Sequence, residues 1–409
     1  MHREQILRLP YLHDHHSHVS LYAALEGIPD LTGLDREKAL GLLRALPADR
    51  LSLVKGWRTD RLPLSAPGLS DDLAKLPPAI IVNASLHGYL ITKLGLPFVE
   101  ELWPELAEHA EDSAWGERAL PRLFSFYGRV AGLDSDKLAT FMGRMQALGL
   151  GSLEDMTLAG EEALSIESAS PFASRILSWA TPDVFLGLPA ARRASCVGIK
   201  IFLDGSLGAK SAALDAPFSD GQTGGLLYGD GELTALIAEI ASYGAALSIH
   251  AIGHLAIEQA LRCLERASAG GDLPSVRIEH AQFISLRQAR RCKDAGVILS
   301  MQPNFNSDSR DYADRLDPRH LAQNDPFRML IDEAGFVPGR DLLFGSDGMP
   351  HGPEEALRWS LFPDFEGQRL SLEEFEAGYG RARGMEGPDE GEGSAFAIDT
   401  LARRLRRIS

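Results

Sequence analysis

Polar and apolar positions along this chain fall into short apolar runs that stop at polar or glycine residues. Eight stand out: 6–12, 148–156, 183–188, 197–204, 245–250, 276–280, 297–302 and 342–347. From Val197 onward the intervening stretches look helical. Residues 233–243 and 256–267 are apolar at helical spacing, and 286–295 carries its charges on one face. Near-continuous apolar strands alternating with such helices are the pattern of a parallel sheet covered by helices. Eight units of this kind predict an α/β fold, a (β/α)8 TIM barrel, with its functional groups at the C-terminal ends of the strands.

Between the first and second runs the chain has roughly 120 residues more than a βα loop needs. This excess has apolar runs of its own at 51–54 and 79–82 and a helix-like stretch over 97–147. The expected organisation is therefore a first barrel strand in 1–19, an inserted subdomain capping the barrel mouth in 20–140, and the rest of the barrel in 141–383. The Gly/Glu-rich stretch 384–393 reads as a flexible linker. Residues 395–407 read as a last helix, basic toward its C-terminus as the helix dipole favours.

The composition narrows the setting. With 409 residues, 44% of them hydrophobic, the chain has ample material for a core. Its formal charge of -16, from 41 basic and 57 acidic residues, argues against nucleic acid or an anionic membrane as partner. Cys196, Cys263 and Cys292 are odd in number and widely spaced, which reads as reduced thiols in a cytoplasmic protein. Neither a leader peptide nor an apolar run of about 18 residues is evident. The expected partner is a small-molecule substrate, with homo-oligomerisation left open.

Candidate chemistry sits at the ends of the runs. His16 and His18 in Asp14-His15-His16-Ser17-His18 are two residues apart, so on a strand they project from one face. Two neutral imidazoles converging there are half of a divalent-metal site, the lesser alternative being a tag remnant or a solvated tail. Lys200, His250, His280 and Asp347 end four further runs. Each has a plain alternative: a satisfied polar strand end, a snorkelling lysine, a helix-capping aspartate. Those alternatives would all have to hold at once, on one face of one barrel.

With these residues in view the chain resembles the amidohydrolase superfamily, and within it the amidohydrolase family 3 branch. The likeness rests on HxH at the first strand and on the phrases GIKIFLDGSLGAKSAAL, SIHAIG, RIEHAQ, LSMQP and LLFGSD. Weaker matches are GSLEDM, KGW and SLHGYL. The resemblance implies a ligand set of His16, His18, Lys200, His250, His280 and Asp347. It also implies one or two Zn2+ or other divalent ions, and a carbamate on Lys200 that bridges them. Metal-bound water then has its pKa lowered toward about 7, and Asp347 shuttles its proton to the leaving amine. The implied activity is metal-dependent hydrolysis of an amide-like C–N bond other than a peptide bond. The alternatives are ester hydrolysis or isomerisation at the same site, or a non-catalytic binding protein on the same fold.

Three departures from the family pattern stand out. His254 occupies the position, four residues after the strand-five histidine, where relatives usually have Asp. The β-sandwich that usually flanks the barrel is expected to be absent or vestigial, since only fifteen residues precede His16 and the segment from Gly384 lacks strand-like alternation. Leu90-Ile91-Thr92 replaces the usual Asn-Ser. Pocket walls are expected from Trp57, His87 and Tyr89, from 205–231 and 304–312, and from Gln302. They do not name a substrate.

Overall fold

The computed structural model describes residues 5–58, 74–83, 86–269, 271, 273–381 and 392–408. The chain divides into two compact units, one of Met1–Ser20 with Ala139–Ser409 and one of Leu21–Leu138. In chain order the strands are β1 (Gln5–Pro10), β2 (Leu12–Ser17), β3 (Ser52–Trp57), β4 (Ala79–Asn83), β5 (Tyr89–Ile91), β6 (Leu150–Asp155) and β7 (Ile176–Ala180). They continue with β8 (Gly198–Phe202), β9 (Ala246–Ala251), β10 (Val276–His280), β11 (Ile298–Met301), β12 (Leu342–Phe344), β13 (Glu392–Asp399) and β14 (Arg404–Arg407).

The first unit is a (β/α)8 barrel. Its eight strands lie in the order β12-β11-β10-β9-β8-β7-β6-β2, and every paired neighbour is parallel. The outer strands β12 and β2 meet at a seam, where the Asp347 N–H donates to the His16 carbonyl at 2.7 Å. Glycine is required at this seam: a Cβ on Gly345 would stand 2.3 Å from the His16 nitrogen. Helices cover the outside. In His254–Ser268 the residues Ala256, Ile257, Ala260, Leu261 and Leu264 are buried, a stripe with the period of a helix packed on a sheet. Among the described residues, no helix is long and apolar enough to cross a membrane.

Three sequence expectations need correction. The apolar run 6–12 is not the first barrel strand. It forms β1, and the barrel strand is the polar segment that follows, Leu12-His13-Asp14-His15-His16-Ser17, all buried. Hydropathy missed β2 because its polar groups find partners inside the barrel. The run 183–188 lies in a helix, Pro182–Gly187, opened by a proline in its first turn, and the strand is the preceding Ile176–Ala180. A short apolar run does not by itself separate the two states.

The C-terminal helix expected over 395–407 is instead β13 and β14. β13 pairs antiparallel with β1, Leu7 facing Phe396 and Leu9 facing Ser394, and β14 extends the sheet. Pairing between the chain's two ends overrides an Ala- and Arg-rich helical propensity. A three-stranded sheet from both termini is therefore present where the reading left the sandwich absent or vestigial. Most of the segment read as a linker, 384–391, lies outside the described residues.

The second unit contains a sheet in which β3 pairs parallel with β4, and β4 antiparallel with β5. Alternation along β4 builds two cores. Ile80 and Val82 pack with Val99, Leu123, Phe126 and Tyr127, while Ala79 and Ile81 pack with Ala39, Leu43 and Val54. Period-two side-chain direction lets one apolar strand serve both faces. The helix-like stretch 97–147 is a series of helices, ending in Leu120–Ala131 and Ser135–Ala147.

Candidate metal centre

The barrel strands bring most of the proposed ligands together. The rings of His16 and His18, from the end of β2, have centroids 5.6 Å apart. His280, from β10, lies 4.8 Å from His16 and 4.5 Å from His250, from β9. Asp347, just past β12, places Oδ1 2.9 Å from His18 Nε2 and 3.6 Å from His16 Nε2. His16, His280 and Asp347 each offer a ligand atom within 4.8 Å of the other two. The backbone takes positive φ at His280 (67°), Ala281 (47°) and Asp347 (55°). Such conformations cost on the order of 1–3 kcal/mol each and cluster at functional sites.

Each imidazole is anchored at one ring nitrogen by a residue that is not itself a candidate ligand. His16 Nδ1 donates to Glu279 Oε2 at 2.7 Å, and His280 Nδ1 donates to Gln302 Oε1 at 2.8 Å. His18 Nδ1 lies 2.7 Å from the Thr157 hydroxyl. His250 is anchored the other way round, its Nε2 donating to the Gly205 carbonyl at 3.2 Å, with Asp204 Oδ1 at 3.4 Å. Partners of this kind set ring orientation and tautomer in metal sites. The other ring nitrogens, Nε2 of His16, His18 and His280 and Nδ1 of His250, are the candidate ligand atoms, that of His18 being hydrogen-bonded to Asp347 Oδ1 at 2.9 Å.

Lys200 of β8 is fully buried, and its Nζ has no hydrogen-bond partner. The ammonium stands 5.2 Å over the Phe202 ring, which in turn stacks on His250. An orphaned buried amine calls for an explanation. Burial pushes its pKa down to about 8 against the pull of Glu279, so part of it is free amine at neutral pH. Burial, reinforced by the Lys200 charge, also lowers His16 and brings His250 down to about 3. His280 is held well below its ordinary value, again by burial first. At Asp347 burial favours the neutral acid, but the facing imidazoles His16 and His18 outweigh it and hold the carboxylate form. Neutral imidazoles, a carboxylate and a buried amine without a partner are a donor set that fits a divalent transition metal.

A second polar cluster lies on the same strand. His13 contacts Ser152 Oγ (2.8 Å) and Glu154 Oε1 (3.3 Å), and His15 contacts Glu154 Oε1 (2.9 Å) and the Gly380 carbonyl (2.8 Å). Both nitrogens of both rings are thus occupied. Arg277 donates to both Glu154 oxygens (2.9 and 3.0 Å) and to Glu279. Its cation fills the place a metal would need, so His13, His15 and Glu154 form a packed polar core.

Sequence reading overlooked Glu279, Thr157, Arg277 and Glu154. Arg277 and Glu279, charged residues alternating inside an otherwise apolar strand, were the available signal. Gln302, expected against substrate, has its Oε1 on His280 and its Nε2 on the Ser300 carbonyl (3.4 Å). Trp57, at the end of β3, and His87, whose ring lies 6.1 Å from Phe124, belong to the second unit. The structure does not bring His254 into the ligand set.

Comparison with known proteins bears on this arrangement. A model of the amidohydrolase family matches residues 12–352. The chain is 32% identical over 162 residues to the putative amidohydrolase YtcJ of Bacillus subtilis (strain 168), a stretch covering 39% of this chain and 29% of that protein. It is 36% identical over 118 residues to Protein LONG AFTER FAR-RED 3 of Arabidopsis thaliana, covering 28% of this chain and 20% of that protein. Less than a third of either relative is therefore matched. Among solved structures, it shares its fold with an uncharacterized metal-dependent hydrolase from Pyrococcus furiosus. The TM-score is 0.66 at 20% identity, over 91% of this chain and 80% of that one. A second, from Pyrococcus horikoshii OT3, gives 0.62 at 23% identity over 88% and 74%.

Proposed function

The chain belongs to the amidohydrolase family, and from that premise we propose that it is a metal-dependent hydrolase of an amide-like, non-peptide C–N bond in a small molecule. His16, His18, His250, His280 and Asp347 would hold one or two divalent ions, zinc being the best match to the donors. Lys200 is suited to join them as a carbamate, formed when its free amine bonds CO2 and gives up a proton. Such an ion, when bound, lowers the pKa of water at the site toward neutrality and polarises a carbonyl oxygen.

The chain's own residues account for the rest of the reaction. Asp347 is held as carboxylate beside His18 and His16, the state a general base needs. As the water oxygen bonds to the carbonyl carbon, an Asp347 oxygen takes the water proton. When the C–N bond breaks, the same oxygen delivers that proton to the leaving nitrogen, so the carboxylate is regenerated. Glu279, Thr157, Gln302 and the Gly205 carbonyl keep the four rings aimed, so little reorganisation is needed at reaction.

The observation that carries this reading is the convergence of His16, His280 and Asp347, with each ring tied from behind. Its test is elemental analysis of the purified protein, followed by a panel of amides, N-acyl amino acids, cyclic amides and esters. One or two transition-metal ions per chain and turnover of an amide are expected. Asp347→Asn should keep fold and most of the metal, yet lose about 10²-fold or more in kcat with KM little changed. A metal-loaded wild type that turns over nothing on the panel, or an Asp347→Asn protein as fast as wild type, overturns it.

A further inference from the structure

His254 opens the helix His254–Ser268, four residues after His250, and lies outside the centre described above. The turn before it allows an unusually close approach: a Cβ on Gly253 would stand 2.2 Å from the Ala213 carbonyl oxygen. That same carbonyl accepts from the Leu255 N–H at 3.0 Å. Asp204 ties the two segments together, accepting from the N–H groups of Ala213, Ile252 and Gly253 at 2.8–3.0 Å. Asp215, two residues beyond Ala213, is thereby brought to His254, with its Oδ1 3.6 Å from Nδ1. A third segment, the helix Pro318–Gln323, supplies His320, whose Nε2 is 2.8 Å from the same Asp215 oxygen. His320 is fully buried, its ring is 5.5 Å from that of His254, and both pack against Phe283.

We propose that Asp215, His254 and His320 form a second, separate site for a divalent transition-metal ion, zinc by its donors. One ligand atom from each lies within 4.8 Å of the other two. Zinc ligands stand about 2.0–2.1 Å from the ion, and so roughly 3.3 Å apart in a tetrahedron. The observed 2.8 and 3.6 Å bracket that spacing. Two imidazoles and a carboxylate are a zinc donor set that leaves a fourth position open.

Two further observations point to a ligand. Nδ1 of His254, the ring atom 3.6 Å from Asp215, is buried without a hydrogen-bond partner, a condition native structures rarely leave uncompensated. In addition, Asp317 Oδ2 lies 3.5 Å from His320 Nδ1, the place from which a carboxylate orients a metal-bound imidazole. Arg319 is the cation now on this cluster, 2.8 Å from Asp215 and 3.1 Å from His320 Nε2, but unlike the buried Arg277 it is free to leave. Its side chain is half exposed and already within 3.9 Å of Asp317, so it swings there when an ion takes its place. Asp215 and Asp317 are the two carboxylates that a cation would meet there. The ion would staple together the segments that follow β8, β9 and β11.

The test uses the full chain equilibrated with zinc. An anomalous difference map at the zinc edge should show a peak among Asp215, His254 and His320, distinct from density at His16 and His18. His254→Asn and Asp215→Asn, both at partly exposed positions, should each bind one equivalent less than wild type. They should keep the His16/His18 peak and lose part of the zinc-induced rise in Tm. Arg319→Ala should retain the ion. No peak at the three residues, with equal stoichiometry in wild type and variants, would show a hydrogen-bonded ion-pair cluster only and overturn the proposal. Because the map reads each site by position, failure here is distinguishable from failure at the strand-end centre.

Discussion

Two histidine pairs share strand β2 and its end, and the protein treats them differently. His13 and His15 have all four ring nitrogens engaged by Ser152, Glu154 and the Gly380 carbonyl. His16 and His18 are each engaged from behind, by Glu279 and Thr157, and turn their second nitrogens toward Asp347. Residue type, burial and spacing are the same in both pairs. What differs is the second partner and the neighbouring charge: a guanidinium fills the first cluster, while the second meets Asp347, itself a candidate ligand, and adjoins a lysine whose Nζ has no hydrogen-bond partner. A buried histidine is thus better identified as ligand or scaffold by where its nitrogens go than by its position in a motif.

The sharpest way to break this contrast is to remove each pair in turn. His16→Ala with His18→Ala should empty at least one metal position and abolish turnover. His13→Gln with His15→Gln should leave metal stoichiometry unchanged and register instead as lost stability. The expected loss is about 1–3 kcal/mol for each partner left buried and unpaired. Elemental analysis and thermal melts of the two double variants separate the outcomes. Equal metal loss from both would erase the distinction.

Arg277 tests the scaffold side, with the next largest effect. It is the buried cation between Glu154 and Glu279. Arg277→Met leaves two carboxylates in the interior and should cost about 3–5 kcal/mol. The pH dependence should also change sign. In the wild type, burial opposes ionisation of Glu154 and Glu279, but Arg277 with the neighbouring histidines and Lys200 holds both well below 4.5. Their contribution is therefore present above the unfolded pKa and lost as pH falls. Without Arg277 burial dominates and raises both pKa values. The variant's deficit should then grow as pH rises above about 4.5 and shrink on acidification. Urea melts at pH 4.5 and pH 7 read this directly, and a deficit equal at both would refute the assigned role.

How much of this was legible follows from where each signal lay. Lys200, His250 and His280 were readable because apolar neighbours mark β8, β9 and β10 as strands and place those residues at or near their ends. The strand carrying His16 was misplaced, because Leu12–Ser17 is polar and its stability comes from partners on β6, β10 and beyond β12, over 100 residues away. β13 was missed for a related reason. Its partner β1 lies at the other end of the chain, and no local pattern encodes that pairing. His254 was flagged only as a departure, and its neighbours Asp215 and His320 come from two other segments, a loop and a short helix. Local periodicity reports which segments are strands, but long-range pairing decides which polar residues are satisfied.

The smallest effect, and the finest test of the contrast, concerns Gln302. If ligand histidines are defined by the partner behind the ring, weakening that partner should loosen the metal without removing a ligand. Gln302 Oε1 accepts from His280 Nδ1 at 2.8 Å, in a residue almost without solvent exposure. Gln302→Leu keeps much of the volume and removes the acceptor, so His280 loses the bond that fixes its tautomer and tilt. Losses of this kind cost about 10–100-fold in metal affinity. The expected result is that shift in a competition titration against a chelator, with full stoichiometry restored at high zinc. Gln302→Glu restores an acceptor, so it should recover most of the affinity. A substrate-binding role would instead raise KM and leave the titration at its wild-type value. The ratio of the two effects therefore decides whether Gln302 serves the metal or the substrate.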